Sequence, residues 1–260
     1  MAGSLQTLIR DLRLRRGRER RGLALAEGVR LVEEALAAGV RCRGATVAPA
    51  LESTARGRAL KAALEQAGVQ LVQVSDRELA ELADTEQAQG VIAVLEPRHW
   101  SWADLPARPG SVVLVLDAVQ DPGNVGTILR TAFALGAAGV IALKGTAELH
   151  NPKVMRGSMG ALFRLPALSA GQDQLVQWLS DDGVELWVTE TGGEPIRRPG
   201  TRLSDGPPIA LALGNEGAGV SAELSARATR RVGIPLVPGA ESLNVAVAAG
   251  ILLYEVTRAG

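Results

Sequence analysis

Leu116-Asp-Ala-Val-Gln-Asp-Pro-Gly-Asn-Val-Gly-Thr-Ile-Leu-Arg-Thr-Ala132 reads as the end of a buried strand, a Pro-Gly turn and the first turns of a helix. Asn124 or Thr127 is the expected helix cap, and Arg130 then lies almost two turns beyond Asn124. Val112–Leu116 before it and Gly139–Leu143 after it are apolar runs of strand length, with helix over Asn124–Leu135 between them. Leu175–Leu179, Val184–Thr189, Pro208–Leu213 and Leu243–Val256 continue the alternation. Short apolar strands separated by helices predict an α/β domain over 111–260, with a parallel sheet covered on both faces.

Residues 1–96 form a smaller α/β unit in this reading. Leu5, Leu8, Ile9 and Leu12 recur at helical spacing and lead into Arg13, Arg15, Arg16, Arg18, Arg20 and Arg21. Leu23–Gly28 leads into an amphipathic helix over Val29–Ala38, closed by Gly39. Strands at Val40–Val47, Val69–Val74 and Val91–Leu95, and a helix around Ala59–Gln66, complete the unit. Residues 97–110 hold Pro97, Pro106, Pro109 and Gly110, the composition of a linker, which Trp100 and Trp102 are expected to pack down rather than to stack on bases.

Composition narrows the function. The chain has 260 residues and a formal net charge of zero, so affinity for a polyanion must come from local patches. Cys42 is the only cysteine, which excludes an internal disulfide and multi-cysteine zinc sites. His99 and His150 lie far apart, so no metal is expected. With no apolar run of membrane-span length and no secretory-type leader, a cytoplasmic location is expected.

Two further stretches carry chemistry. Ile209-Ala-Leu-Ala-Leu-Gly-Asn-Glu-Gly-Ala-Gly-Val220 runs from a strand into a loop whose glycines let backbone approach a ligand. It is neither a P-loop nor G-x-G-x-x-G, so an uncharged ring fits it better than a phosphate. Val232-Gly-Ile-Pro-Leu-Val-Pro-Gly-Ala-Glu-Ser-Leu-Asn-Val-Ala-Val leads into a helix that is apolar on nearly every face, which predicts burial. Ser242 is the expected N-cap of that helix.

Together the three stretches resemble the signature motifs of the SpoU (TrmH-like) family of RNA ribose 2′-O-methyltransferases, over roughly residues 111–258. Val154-Met-Arg-Gly-Ser-Met-Gly-Ala-Leu-Phe-Arg-Leu-Pro166 resembles the family's connecting segment, and residues 5–95 are similar to its substrate-binding domain, related to a ribosomal-protein fold. Ala246 departs from the serine common in relatives.

The resemblance implies a trefoil-knotted parallel-sheet methyltransferase domain, a homodimer, S-adenosyl-L-methionine as cofactor and RNA as partner, with ribosomal RNA favoured over transfer RNA. It places Arg130, Asn124, Glu216, Ser242 and Asn244 in catalysis. Gly214, Ile234, Leu243, Asn215, Gly217 and Pro235 fall to the cofactor. Arginine offers only donors, so Arg130 is expected to fix an RNA phosphate that takes the proton, or to stabilise a developing alkoxide, more readily than to act as a base. The arginines of residues 10–21 are expected to contact phosphates. The rival readings are a transfer-RNA methyltransferase, a non-catalytic RNA-binding protein and a dinucleotide-dependent dehydrogenase; the last lacks its glycine fingerprint.

Overall fold

The structure is a computed structural model and describes residues 2–86, 88–196 and 206–257. The chain divides into two compact units, one from residues 1–98 with 150–164 and the other from 99–149 with 165–260.

The first unit opens with α1 (Ala2–Arg13) and α2 (Arg15–Arg21), followed by β1 (Ala24–Glu27), α3 (Val29–Ala37), β2 (Arg41–Val47), α4 (Ala55–Gln66), β3 (Leu71–Gln73), α5 (Asp76–Leu82) and β4 (Val91–Glu96). The strands form one sheet in the order β1-β4-β2-β3, with only the β2–β3 pair parallel. Gly22 ends α2 at φ 63°, Thr54 caps α4, and Ser75 with Glu78 makes a reciprocal capping box on α5. Two elements were not foreseen. β1 is buried at all four positions, so it lacks the alternation that marks a strand, and α5 is only seven residues long.

In the second unit β5 (Val112–Leu116) is followed by α6 (Pro122–Ala134) and β6 (Gly139–Leu143). The chain then leaves this sheet for α7 (Pro152–Ser158), which packs on β1 and belongs to the first unit. Arg156 of α7 donates to Asp84 at 2.7 Å and lies 3.7 Å from the buried Glu27, whose carboxylate accepts from the Asp84 and Thr85 amides. Chain order resumes with β7 (Ala167–Ala170), α8 (Gln172–Asp181), β8 (Glu185–Glu194), β9 (Ile209–Leu213), α9 (Ala222–Ser225), β10 (Arg230–Val232) and α10 (Val245–Thr257).

The six strands of this unit are all parallel, in the order β10-β8-β9-β5-β6-β7. Val113, Val115, Ile141, Leu186, Val188, Ala210 and Ala212 fill one face of the sheet with Leu175 and Trp178 of α8. Residues 99–110 pack onto the same core: Trp102 lies 5.7 Å from Trp178 between ring centroids, and Leu105 is buried. One expectation is corrected. α10 is not enclosed on every side, because Val247, Ile251 and Tyr254 form an exposed stripe, with Phe133 of α6 also exposed. No described helix is long and apolar enough to cross a membrane.

Candidate active site

The site sits at the carboxyl ends of β5, β8, β9 and β10. β5 delivers Asp117, a nearly buried carboxylate that accepts the Ser221 amide at 2.7 Å. Next comes Ala118 at φ 57°, a left-handed conformation unusual for alanine. Its carbonyl accepts Asn215 Nδ2 at 3.1 Å, which ties the β5 and β9 loops together.

Asp121, not Asn124 or Thr127, caps α6: its Oδ1 accepts the Asn124 amide at 2.8 Å, with Pro122 in the first turn. This correction matters because it frees the Asn124 side chain. Asn124 Nδ2 donates to Glu216 Oε1 at 2.8 Å, and Asn124 Oδ1 accepts Asn244 Nδ2 at 3.0 Å. Asn244 Oδ1 in turn accepts the Ala246 and Val247 amides at 2.9 and 3.3 Å. Asn244, not Ser242, is therefore the residue that caps α10. The capping bonds orient the Asn244 amide, which orients Asn124, which points its NH2 at a carboxylate. One line of hydrogen bonds joins all three sequence motifs.

The loop after β9 is folded on itself. The Asn215 and Gly219 backbones exchange hydrogen bonds at 3.0 and 2.9 Å, and Asn215 Oδ1 accepts the Gly217 and Ala218 amides. A Cβ on Gly214 would stand 2.0 Å from the Gly219 carbonyl carbon, so only glycine fits there.

A cavity of about 680 Å³ opens between this loop, residues 189–191 in the second half of β8, and residues 233–243 after β10, with Val245, Ala248 and Leu252 of α10 in its wall. Gly214, Asn215, Glu216, Gly217, Ile234, Ser242 and Leu243 line it, whereas Pro235 does not. Asn124 and Asn244 stand behind Glu216 rather than in the lining. Arg130 is exposed on α6 and does not line the cavity either. Thr189, Glu190 and Thr191 complete the wall and were missed; the only signal was a strand running into Thr-Glu-Thr-Gly-Gly. Glu190 is held by Arg231 at 2.8 Å, and Gly193 and Gly233 cross so closely that a Cβ on Gly193 would lie 2.5 Å from the Val232 carbonyl carbon.

The lining suits S-adenosylmethionine. Its size is that of a small-molecule site, its glycine backbone leaves room for an uncharged ring, and the carboxylates of Glu216 and Glu241 favour a cationic centre. No group of three metal-ligating side chains occurs among the described residues.

The basic cluster of the first unit is largely engaged within the protein. Arg20 and Arg21 both bind Asp11, Arg15 binds Glu19 at 2.7 Å, and Arg13 donates to the Glu81 carbonyl at 3.2 Å. The hydrogen bond from Arg21, then that from Arg20, holds the Asp11 carboxyl below the usual carboxylate range. Arg18 is a correction. It is 4% exposed and donates to the Leu12 and Arg13 carbonyls at 2.8 Å, so it closes the end of α1 instead of facing RNA. Arg16 faces solvent.

Comparison with known proteins agrees with this geometry. Residues 111–254 match the SpoU rRNA Methylase family, and residues 7–93 match the MRM3-like substrate binding domain. The 23S rRNA (guanosine(2553)-2′-O)-methyltransferase RlmP of Bacillus subtilis is 35% identical over 95% of this chain and 93% of its own length. The AdoMet complex of the SpoU methyltransferase AviRb from Streptomyces viridochromogenes superposes with a TM-score of 0.86 at 30% identity, covering 97% of this chain and 96% of that one. An AdoMet-bound rRNA methyltransferase from Sinorhizobium meliloti superposes at 0.84, also at 30% identity, covering 97% and 93%. Fold and cavity together define an RNA methyltransferase of the knotted α/β class that uses S-adenosylmethionine. The chain belongs to the SpoU rRNA methylase family.

Proposed function

We propose that the protein transfers a methyl group from S-adenosylmethionine to a ribose 2′-hydroxyl of 23S ribosomal RNA, and that it does so as a homodimer. The observation that carries this reading is the Asn244–Asn124–Glu216 line, which gathers three motifs at the rim of one glycine-walled cavity.

The cofactor supplies an electrophilic methyl group on a sulfonium. Gly214, Asn215, Gly217, Ile234 and Leu243 hold it mainly through backbone groups, and Pro235 shapes the turn behind Ile234. Asn124, Glu216, Asn244 and Ser242 orient the ribose at the cavity mouth. Arg130 acts by donation, fixing the RNA phosphate that takes the proton of the 2′-hydroxyl and stabilising negative charge as it develops on the 2′-oxygen. The first unit holds the RNA, with Arg16 facing solvent and Arg13, Arg15, Arg20 and Arg21 exposed beside it while bonded within the protein.

Two features support the dimer. Phe133, Val247, Ile251 and Tyr254 expose apolar surface on α6 and α10, two helices that pack together. Arg130 stands exposed on α6 outside the cavity of its own chain, which fits a residue that acts in a site shared with a second copy.

The test is methyl transfer from radiolabelled S-adenosylmethionine to 23S ribosomal RNA and to bulk transfer RNA, followed by nuclease mapping. Label at one 2′-O-methyl nucleotide of 23S RNA is expected. Label on transfer RNA alone, or on a base, would overturn the assignment.

A further inference from the structure

β8 and β10 do not keep register to their ends. Arg231 pairs with Val188, and the next residue of β10, Val232, pairs with Glu194, so residues 189–193 bulge out between two paired positions. On the other side, the ladder between β8 and β9 also stops at Val188. A bulge re-aims side chains beside a site, and this one carries Thr189, Glu190 and Thr191 into the wall of the cavity of about 680 Å³. The 233 loop closes against it: a Cβ on Gly233 would lie 2.6 Å from the Glu190 carbonyl oxygen.

Two carboxylates of that cavity differ in what they can recognise. Glu216 accepts from the neutral amide of Asn124 and keeps its full negative charge. Glu190 is paired with a cation. Arg231 Nη1 donates to Glu190 Oε2 at 2.8 Å, and Arg231 Nη2 donates to the Ser225 carbonyl at 2.8 Å, so the guanidinium is held from both sides. The pair has no net charge and offers little to a sulfonium. Glu190 Oε1 still has lone pairs to give, which suits an uncharged donor.

The geometry points to Glu190 as the residue that binds the ribose of the cofactor, with Oε1 accepting a hydroxyl of the 2′,3′-diol while Arg231 fixes the carboxylate in place. The sugar is the part of S-adenosylmethionine that presents uncharged O–H donors. An acidic side chain near a strand end receives such donors in dinucleotide folds as well. Ile234, Leu236 and Leu252, with the glycine loop, are then left to the adenine, and Glu216 to the charged end. The inference rests on this cavity being the cofactor site and names the group within it that reads the sugar.

Calorimetry on the full-length protein tests this with S-adenosylhomocysteine and its 2′-deoxy and 3′-deoxy analogues. One of the two analogues is expected to bind the wild type about tenfold more weakly than the parent compound. Glu190→Ala is expected to bind the parent about tenfold more weakly and to lose less than about twofold more when that hydroxyl is removed. Glu190→Gln keeps a carbonyl acceptor in nearly the same volume. It should fall between the two proteins, and it carries the comparison if the alanine variant folds poorly. Glu190→Ala should weaken S-adenosylmethionine and S-adenosylhomocysteine by the same factor. In methyl transfer it should raise KM for the cofactor and leave kcat at saturation near wild type. A wild type that binds both deoxy analogues as tightly as the parent overturns the assignment. So does a variant that keeps the wild-type penalty for the missing hydroxyl, or one that loses more affinity for S-adenosylmethionine than for S-adenosylhomocysteine, which would put Glu190 on the sulfonium. A wild type that takes up no S-adenosylhomocysteine overturns the reading of the cavity itself.

Discussion

Asn244 dictates which way Asn124 faces. With its oxygen engaged by the first amides of α10, Asn244 has only its NH2 to offer, and Asn124 receives that group on Oδ1 and turns its own NH2 to Glu216. Asn244→Asp keeps the cap but replaces this donor with an acceptor. Asn124 then either faces an oxygen or turns over and sets its own oxygen against Glu216. Methyl transfer is expected to fall roughly tenfold or more, in line with ~1–3 kcal/mol for an unsatisfied polar group, while cofactor affinity by calorimetry stays near wild type. Equal kinetics in the two proteins would show that the line of hydrogen bonds has no part in the reaction.

Gly214→Ala tests the cavity wall. The added methyl group would collide with backbone at Gly219 and Val220, neither of which can swing aside as a side chain could. S-adenosylhomocysteine binding is expected to drop by more than tenfold, with far-ultraviolet dichroism unchanged. Gly171→Ala, outside the cavity, is the control: a Cβ there meets nothing closer than Gln174 Oε1 at 3.6 Å, so binding should change little.

Arg18 and Arg16 are two residues apart and predict opposite results. Arg18→Ala removes buried charge-assisted bonds to two carbonyls and is expected to cost about 2–3 kcal/mol. Arg16→Ala alters an exposed side chain and should leave stability within about 0.5 kcal/mol. Denaturant unfolding of the two variants makes the comparison.

Ile251→Glu places a charge in the exposed apolar stripe of α10. Sedimentation should show a dimer in the wild type and a monomer in the variant, with methyl transfer lost and each monomer still folded. A wild-type monomer with full activity would exclude an active site shared between chains.

The acid side of the stability profile follows from four carboxylates. Asp11, Glu78, Glu96 and Asp104 are each held below their ordinary values, chiefly by hydrogen bonds from Arg21, the Ser75 amide, Arg43 and the Ser101 hydroxyl respectively. A lowered folded value means stability present above the unfolded values, 3.8 for Asp and 4.5 for Glu, and lost as pH falls below them toward the folded ones. The melting temperature is expected to be flat near neutrality on this basis and to fall below about pH 4.5, less steeply in high salt because all four groups face solvent.

The parallel sheet was legible because its strands are uniformly apolar and sit between glycine and proline punctuation, as at Val112–Leu116 and Ile209–Leu213. The glycine loops at 214–219 and 233–243 could be read for the same reason. What sequence could not show was competition among polar side chains for one role. Asp121, Asn124 and Thr127 are all good caps, and only the backbone path selects Asp121. Arg18 looks like its neighbours until the interruption of the helix at Leu14 turns it inward beneath α1. α10 carries apolar residues on every face, so composition alone could not separate the buried Leu252 and Leu253 from the exposed Ile251 and Tyr254.

β9 is the fifth strand of its sheet to be synthesised, yet it lies between β8 and β5, both of which precede it. Until Leu213 has emerged from the ribosome, two apolar strands wait with open edges and no neighbour to share. Such edges invite pairing with other chains, and parallel pairing at long sequence separation is slow. Interrupted translation products that end before β9 should therefore precipitate or be held by chaperones, and this domain completes itself only late in its own synthesis.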